Sequence, residues 1–421
     1  AFAQREEAVL LIDEARQSMP ALSPVMGEEG VFSGSTDSGE TLYVMQSQNL
    51  RTLFLFSDDP KNQGRQWVEN CERHENEAQA SMALVAADGT VDYAGHIKKL
   101  RGRGNGTWRW AKKPYQLKLD DKADLLNLGD PDERNRTWVL LALATDATML
   151  HDRVALDLGL EMGLNETSHS EHVDLYYDGE YRGTYLLCEK VEVGKGRVNE
   201  MNSTKLVEQL NEAVGQENLE DLHTEEGVNN FGQTYAWVEG VQGPENPADL
   251  AYLVELESPY TLSNQGWFHV EDGGLFGCKN PKYPNREMVA YISEKLASAH
   301  LALQNGTDIE KNFDVDGFAR VALINELAYN IDGFTNSSSF FVLPAGGGTF
   351  RPGPLWDFEL AFHYLNAKDN TQGFKSASGW LTDGFYRSHS FLQAMKNIYQ
   401  QELYPLITDV LLGNRQGRYL Q

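Results

Sequence analysis

The stretch Arg101-Gly-Arg-Gly-Asn-Gly-Thr-Trp108 constrains this chain more than any other. Three alternate glycines break regular structure and leave the backbone N–H groups open to the close approach of an anion. Lys112, Lys113 and Pro114 follow, and then the alternating run 115–119. In a strand, Tyr115, Leu117 and Leu119 take one face while Gln116 and Lys118 take the other, so Lys118 can point into a cleft. Phosphate is the anion this arrangement suits. The alternative is a tight surface loop whose basic residues balance nearby carboxylates, and glycine spacing alone does not separate the two.

Charge narrows the choice of partner. The 421 residues hold 36 Lys plus Arg against 62 Asp plus Glu, a net charge of −26. Such an acidic chain repels polyphosphates, which argues against nucleic acid as the main partner. A small nucleotide is different, because it responds to the local field of a cleft and to any bound cation. With 41% hydrophobic residues there is material for a sizeable core. At about 150 residues per domain the length fits two or three domains, or one large fold with insertions. The three cysteines, Cys71, Cys188 and Cys278, are too few and too scattered for a disulfide framework. Cys71 with His74, and His169 with His172, have loosely metal-like spacing, yet neither joins a second well-spaced ligand pair, so no structural zinc is expected. No apolar run is long enough to span a membrane. Ala1-Phe2-Ala3 has the small-x-small form of a cleavage site without the apolar region that precedes one, so no address is read from it.

The pattern along the chain predicts α+β. A helix is expected over 6–19 and a Gly/Ser-rich loop over 32–40. Strands are expected over 50–56, 81–87 and 91–96, the last two around the turn Asp88-Gly89. Helical spacing is read over 137–162. Strands 172–177 and 184–191 flank Asp178-Gly179, another turn signal. Residues 202–246 read as a polar insertion with one short helix over 206–214. Strands over 252–257 and 267–276, helices over 286–304 and 315–330, and a hairpin of 340–343 with 349–351 complete a second half that reads as mainly helical.

Two further clusters carry acids. Asp332 follows a helix and is followed at once by amides and hydroxyls, Asn336-Ser-Ser-Ser339. The negative end of the helix dipole disfavours an acid there, so some other interaction should hold it. A loop aspartate satisfied by backbone N–H groups is the plainer reading. In Gly353-Pro-Leu-Trp-Asp357-Phe-Glu359, acids alternate with large apolar residues. If this is a strand, Asp357 and Glu359 share a face and invite a divalent cation. An anion loop, a strand lysine and these acids are the parts of metal-assisted phosphoryl transfer.

The motifs R-G-x-G-N-G-T-W (101–108), K-K-P-Y-Q-L-K-L (112–119), the strand end Leu187-Cys-Glu189-Lys with Arg197-Val-Asn199, N-I-D-G-F (330–334) and G-P-L-W-D-F-E-L-A (353–361) together resemble the CotH family. The resemblance runs from about residue 50 to about residue 365. It implies an atypical, two-lobed protein-kinase-like fold with an antiparallel-sheet N-lobe and a mainly helical C-lobe. The expected division is an N-terminal helix and linker over 1–49, an N-lobe over 50–200 and a C-lobe over 201–421. The resemblance also implies phosphorylation of protein Ser or Thr with ATP and Mg²⁺, or Mn²⁺, at the cell or spore surface. Lys118 is similar to the strand lysine that holds the α/β-phosphates, with Arg101, Gly104, Asn105, Thr107 and Lys113 beside it. Leu187 and Glu189 fall on the hinge whose backbone meets adenine. Asp332 is similar to the catalytic aspartate, and Asp357 to the metal-binding aspartate, with Glu359 near it. The metal-binding Asn of ordinary kinases lies five residues after the catalytic Asp, where this chain has Ser337. Asn336 lies one earlier, and either can serve. His151 stands where family members often have Arg, and the acidic partner of Lys118 is one of Asp152, Asp157 and Glu161. A catalytically idle coat or adhesion protein of the same family is the competing expectation, and a glycoside hydrolase with an acidic pair is a third.

Overall fold

The structure is a computed structural model. It describes residues 9–12, 15–18, 23–27, 31–35, 39, 41–45, 49–260, 262, 264–271, 274–307, 309–334, 337–362, 373–379 and 382–411. Two compact units emerge, one from 1–147 with 169–190 and the other from 148–168 with 191–420.

The first unit is built on a closed seven-stranded barrel. Its strands run in the order Asn135–Leu141, Glu180–Glu189, Ser170–Tyr177, Arg51–Ser57, Glu77–Val85, Val91–Gly102 and Tyr115–Ala123, the last pairing back onto the first. Neighbours are antiparallel except Ser170–Tyr177 beside Arg51–Ser57. Period-two alternation fills the interior with Leu53, Leu55, Leu84, Leu117, Leu119, Trp138, Leu140, Leu175 and Leu187. Closure leaves no edge on which another chain could pair. Asp178 and Gly179 both take positive φ, +51° and +83°, as a two-residue hairpin requires. The Asp178 carboxylate then accepts from the N–H and hydroxyl of Ser57 and from the N–H of Arg65, at 2.7 to 2.9 Å. The turn is thereby fastened to a strand far away in sequence.

The second unit overturns the expected kinase-like division into a sheet lobe and a helical lobe. Its centre is a seven-stranded antiparallel sheet, ordered Thr224–Val228, Thr234–Val238, Trp267–Val270, Gly274–Asn280, Tyr252–Glu257, Ser339–Leu343 and Arg351–Pro352. The helices Arg286–Gln304 and Val315–Leu327 are present as expected. The strands expected over 252–257 and 340–343 also form, as Tyr252–Glu257 and Ser339–Leu343, and both are buried along nearly their whole length because they are interior members of this one sheet. The polar stretch 202–246 supplies two of the strands after the helix Ser203–Glu212.

Other local expectations change for similar reasons. Residues 137–162 divide into the barrel strand Asn135–Leu141 and the helix His151–Glu161, since a short apolar run fits either period and strand pairing on both sides decides it. In place of the helix over 6–19 stand the paired strands Val9–Ile12 and Ala15–Ser18. The uninterrupted run Val-Leu-Leu-Ile has no helical stripe. Of the loop expected over 32–40, residues 32–35 belong instead to the strand Val31–Ser35, which pairs with Thr41–Met45 in a three-stranded sheet, and 36–38 and 40 lie outside the described residues. Residues 267–276 form parts of two strands rather than one. No helix among the described residues is long and apolar enough to cross a membrane.

The central sheet buries an ion cluster. Lys279 Nζ lies 2.5 Å from Glu255 Oε2, 2.8 Å from Glu257 Oε1 and 3.1 Å from Asn264 Oδ1. Two carboxylates share one ammonium. Burial, opposed by Lys279 and reinforced by Glu257, pushes the Glu255 carboxyl up to about 7. A folded-state value above the unfolded one gives stability that is present at low pH and lost as pH rises through about 7. Glu255→Gln should therefore flatten the fall in unfolding free energy between pH 5 and pH 8 by about 3 kcal/mol at most. Urea titrations of both proteins at the two pH values measure it, and an unchanged slope would remove Glu255 as its source.

Candidate functional site

The glycine run lies in the barrel unit, between Val91–Gly102 and Tyr115–Ala123, and its glycines have different reasons. A Cβ at Gly102 would run into the Trp108 ring and His74. Gly104 has φ +84°, and a side chain there would also strike the Thr107 hydroxyl. Gly106 meets nothing within 4 Å, and Asn105 beside it is exposed. The loop is anchored by Trp108, which is 5% exposed and donates from Nε1 to the Cys71 carbonyl at 2.9 Å. Arg103 N–H donates to the Pro114 carbonyl at 3.1 Å. Burial first, with Arg101 and Arg103 adding to it, holds the His74 imidazole below its usual value.

The basic residues are not equivalent. Lys118 is exposed on the outer face of its strand, as the alternation predicts, with Gln116 on the same side and Tyr115, Leu117 and Leu119 buried inside. Lys113 Nζ instead donates to the Trp108 carbonyl at 2.5 Å and sits 4.8 Å from the centre of that ring. Lys112 is held in the same manner on the Thr184 carbonyl and the Tyr185 ring. Arg101 lies 3.8 Å from Glu77. Leu187 is buried in the barrel, and Glu189 ends the strand Glu180–Glu189, just before the division of the chain into units at 190.

The second unit brings the Asp332 and Asp357 segments together through side chains that the sequence reading did not assign. Asn330, 2% exposed, accepts from the N–H groups of Asp332 and Gly333 and donates from Nδ2 to the Asp357 carbonyl at 3.1 Å. Ser338 Oγ donates to Asp357 Oδ2 at 2.9 Å. Ser337 Oγ donates to Asp332 Oδ1 at 2.9 Å. Asp332 is thus held by loop donors beyond a helix that ends at Leu327. Asn336 lies outside the described residues.

The strand expected through Asp357 and Glu359 is absent, and with it the shared face. Asp357 takes φ +67°, which turns the chain out of the extended region. Glu359 is 8% exposed, and its carbonyl accepts from His151 Nδ1 at 3.2 Å. The neighbouring Phe358 N–H donates to Asp152 Oδ1 at 2.9 Å. Asp152 and His151, at the start of the helix His151–Glu161, are therefore braces for this turn, while Asp157 pairs with Arg153 at 2.7 Å. Tyr329, Phe334, Ser338 and Phe362 also have positive φ. Non-glycine residues in that region cost roughly 1 kcal/mol or more each and persist only where neighbouring contacts enforce them. The Asn-x-Asp spacing of 330–332 is the one signal that could have revealed the Asn330 brace, because an Asn side chain readily caps the N–H two residues on.

Acids on two cross-braced, strained loops suit a kinase-like protein. Sequence comparison agrees, for the family model described as CotH kinase protein matches residues 100–412, and the chain belongs to that family. Among individually curated proteins, none matches it.

Removing a brace should be felt at the turn. Asp152→Ala leaves the buried Phe358 N–H without its acceptor, and the expected loss is about 1–3 kcal/mol of stability. Hydrogen exchange at Phe358 should quicken more than exchange in the barrel. Uniform exchange across both would show that Asp152 does not brace the turn.

Proposed function

We propose that this chain is an ATP- and Mg²⁺-dependent protein Ser/Thr kinase of the CotH type. The observation that carries the reading is the brace around Asp357, in which a strained non-glycine residue is held by Asn330, Ser338 and the neighbouring Asp152 contact. Such strain is retained where geometry is needed for function.

The Asp357 carboxylate and the Ser338 hydroxyl beside it are hard oxygen donors of the kind Mg²⁺ takes together with substrate phosphates. Asp357 would hold the ion, and Ser337, Asn336 and Glu359 are assigned to it by the family resemblance. Bound there, Mg²⁺ or Mn²⁺ supplies charge neutralisation for the phosphates. Asp332 is the residue assigned to the acceptor hydroxyl. Among the described residues its carboxylate takes a hydrogen bond from Ser337, and a carboxylate has about four acceptor sites, so capacity remains to orient a hydroxyl and receive its proton. In the barrel unit, Lys118 and the N–H groups around Gly104, Asn105 and Thr107 are assigned to the phosphates. Arg101 and Lys113 contribute charge, and Lys113 also stiffens the loop through Trp108. The resemblance assigns the base to Leu187 and Glu189; in the barrel Leu187 is paired with Leu140 on one side and Glu171 on the other, and the Glu189 N–H donates to the His169 carbonyl. Catalysis of this type is mostly positioning and electrostatics, which accounts for the emphasis on braces. The activity belongs at the cell or spore surface by the same resemblance.

One observation favours a second reading, a catalytically idle coat or assembly protein: Ser337 stands at the usual metal-binding Asn position and its hydroxyl is engaged by Asp332. Labelled ATP separates the two. With Mg²⁺ or Mn²⁺ the protein should phosphorylate itself or a Ser-rich acceptor. Asp357→Asn should abolish labelling, and Asp332→Asn should lower it by roughly 10²–10⁴-fold. Equal labelling by Asp357→Asn would remove that residue from the mechanism. Absence of both labelling and calorimetric ATP binding at millimolar nucleotide would leave the idle reading.

A further inference from the structure

We propose that Glu133, His169 and Glu189 form a binding site for a first-row divalent metal ion, with Zn²⁺ as the best fit, at one rim of the barrel. Three distant segments converge there. Glu133 closes the single helical turn Pro131–Glu133 before the strand Asn135–Leu141, His169 immediately precedes Ser170–Tyr177, and Glu189 ends Glu180–Glu189. The pairings of Trp138 with Glu189 and of Ser170 with Cys188 bring these ends to one rim. One potential ligand atom from each side chain falls within 4.8 Å of those of the other two, and no other group of three does so among the described residues.

Two features point to a cation beyond mere proximity. The Glu189 side chain is only 2% exposed, yet it lies against a second carboxylate. Glu133 Oε2 is fully buried and receives no hydrogen bond. The N–H and Nδ1 of His169 approach Glu189 Oε2 at 2.8 and 3.1 Å, whereas Glu133 Oε2 has no hydrogen-bond donor among the described residues. Even a charged imidazole leaves one net negative charge around the buried Glu189 side chain, and burying a carboxylate beside another without compensation is costly. Burial and the Glu189 carboxylate push the Glu133 carboxyl up to about 7, the same conflict expressed as proton affinity. A bound cation relieves it.

The donor set names the class of ion. One imidazole and two carboxylates make a mixed N/O site that suits Zn²⁺ and its first-row neighbours, whereas Mg²⁺ prefers oxygen alone. Three protein ligands leave a fourth tetrahedral position for water or a ligand. His169, 27% exposed, provides the way in. The site lies wholly in the barrel unit and does not rest on the nucleotide reading.

The test is titration of the untagged, chelator-stripped full chain with ZnCl₂, MnCl₂ and MgCl₂ without nucleotide, followed by calorimetry, elemental analysis and thermal melting. One Zn²⁺ per chain is expected, with a higher melting temperature and much weaker binding of Mg²⁺. Glu133→Gln and His169→Asn should each weaken Zn²⁺ binding by roughly tenfold or more and remove the thermal shift. Asp357→Asn should bind Zn²⁺ as the wild type does, which separates this site from the proposed kinase metal. Circular dichroism checks that the barrel persists, and Glu133, partly exposed in a short turn, is the variant least able to disturb it. Absence of stoichiometric Zn²⁺, or equal binding by a folded Glu133→Gln, would overturn the proposal.

Discussion

The buried amide of Asn330 is the interaction on which the candidate chemistry depends. Its oxygen caps the N–H groups of Asp332 and Gly333, and its nitrogen reaches the carbonyl of Asp357. A single side chain thus fixes two loops, one carrying Asp332 and the other Asp357. Loops are normally the soft part of a fold, because their backbone polar groups face water. Here they are buried enough to need internal partners, and Asn330, Ser338 and Asp152 supply them. The left-handed residues in both loops are the cost of that arrangement.

The barrel unit solves a different problem. A sheet with exposed edges could pair with other chains, and closure of Tyr115–Ala123 onto Asn135–Leu141 removes the edges. It also divides its lysines by function. Lys112 and Lys113 are tied to carbonyls and aromatic rings and hold the glycine run in shape. Lys118 remains on the exposed face. A run of basic residues in sequence is therefore not one electrostatic patch in space.

Much of the first unit was legible. Asp-Gly pairs marked two hairpins, and alternation over 115–119 gave the buried and exposed faces of that strand, because period two is decided locally. The family resemblance was also legible, through five ordered motifs. The second unit misled. Short apolar runs such as 252–257 do not say how many strands will lie beside them, and the polar stretch 202–246 gave no sign that two of its segments would pair. The turn at Asp357 was read as a strand, since alternating acids and aromatics mimic one. Its positive φ is enforced by Asn330, Ser338 and Asp152, none of which is near it in sequence.

The sequence by itself determined the local alphabet: where glycine must stand at 104, where hairpins turn, which strand positions face inward, and which family the motifs resemble. These depend on sterics and periodicity within a few residues. Tertiary structure alone decided that the barrel closes, that a sheet and not helices forms the centre of the second unit, and that Glu133, His169 and Glu189 meet. Those outcomes depend on pairings between segments tens to hundreds of residues apart, and burial, not local preference, sets their free energy.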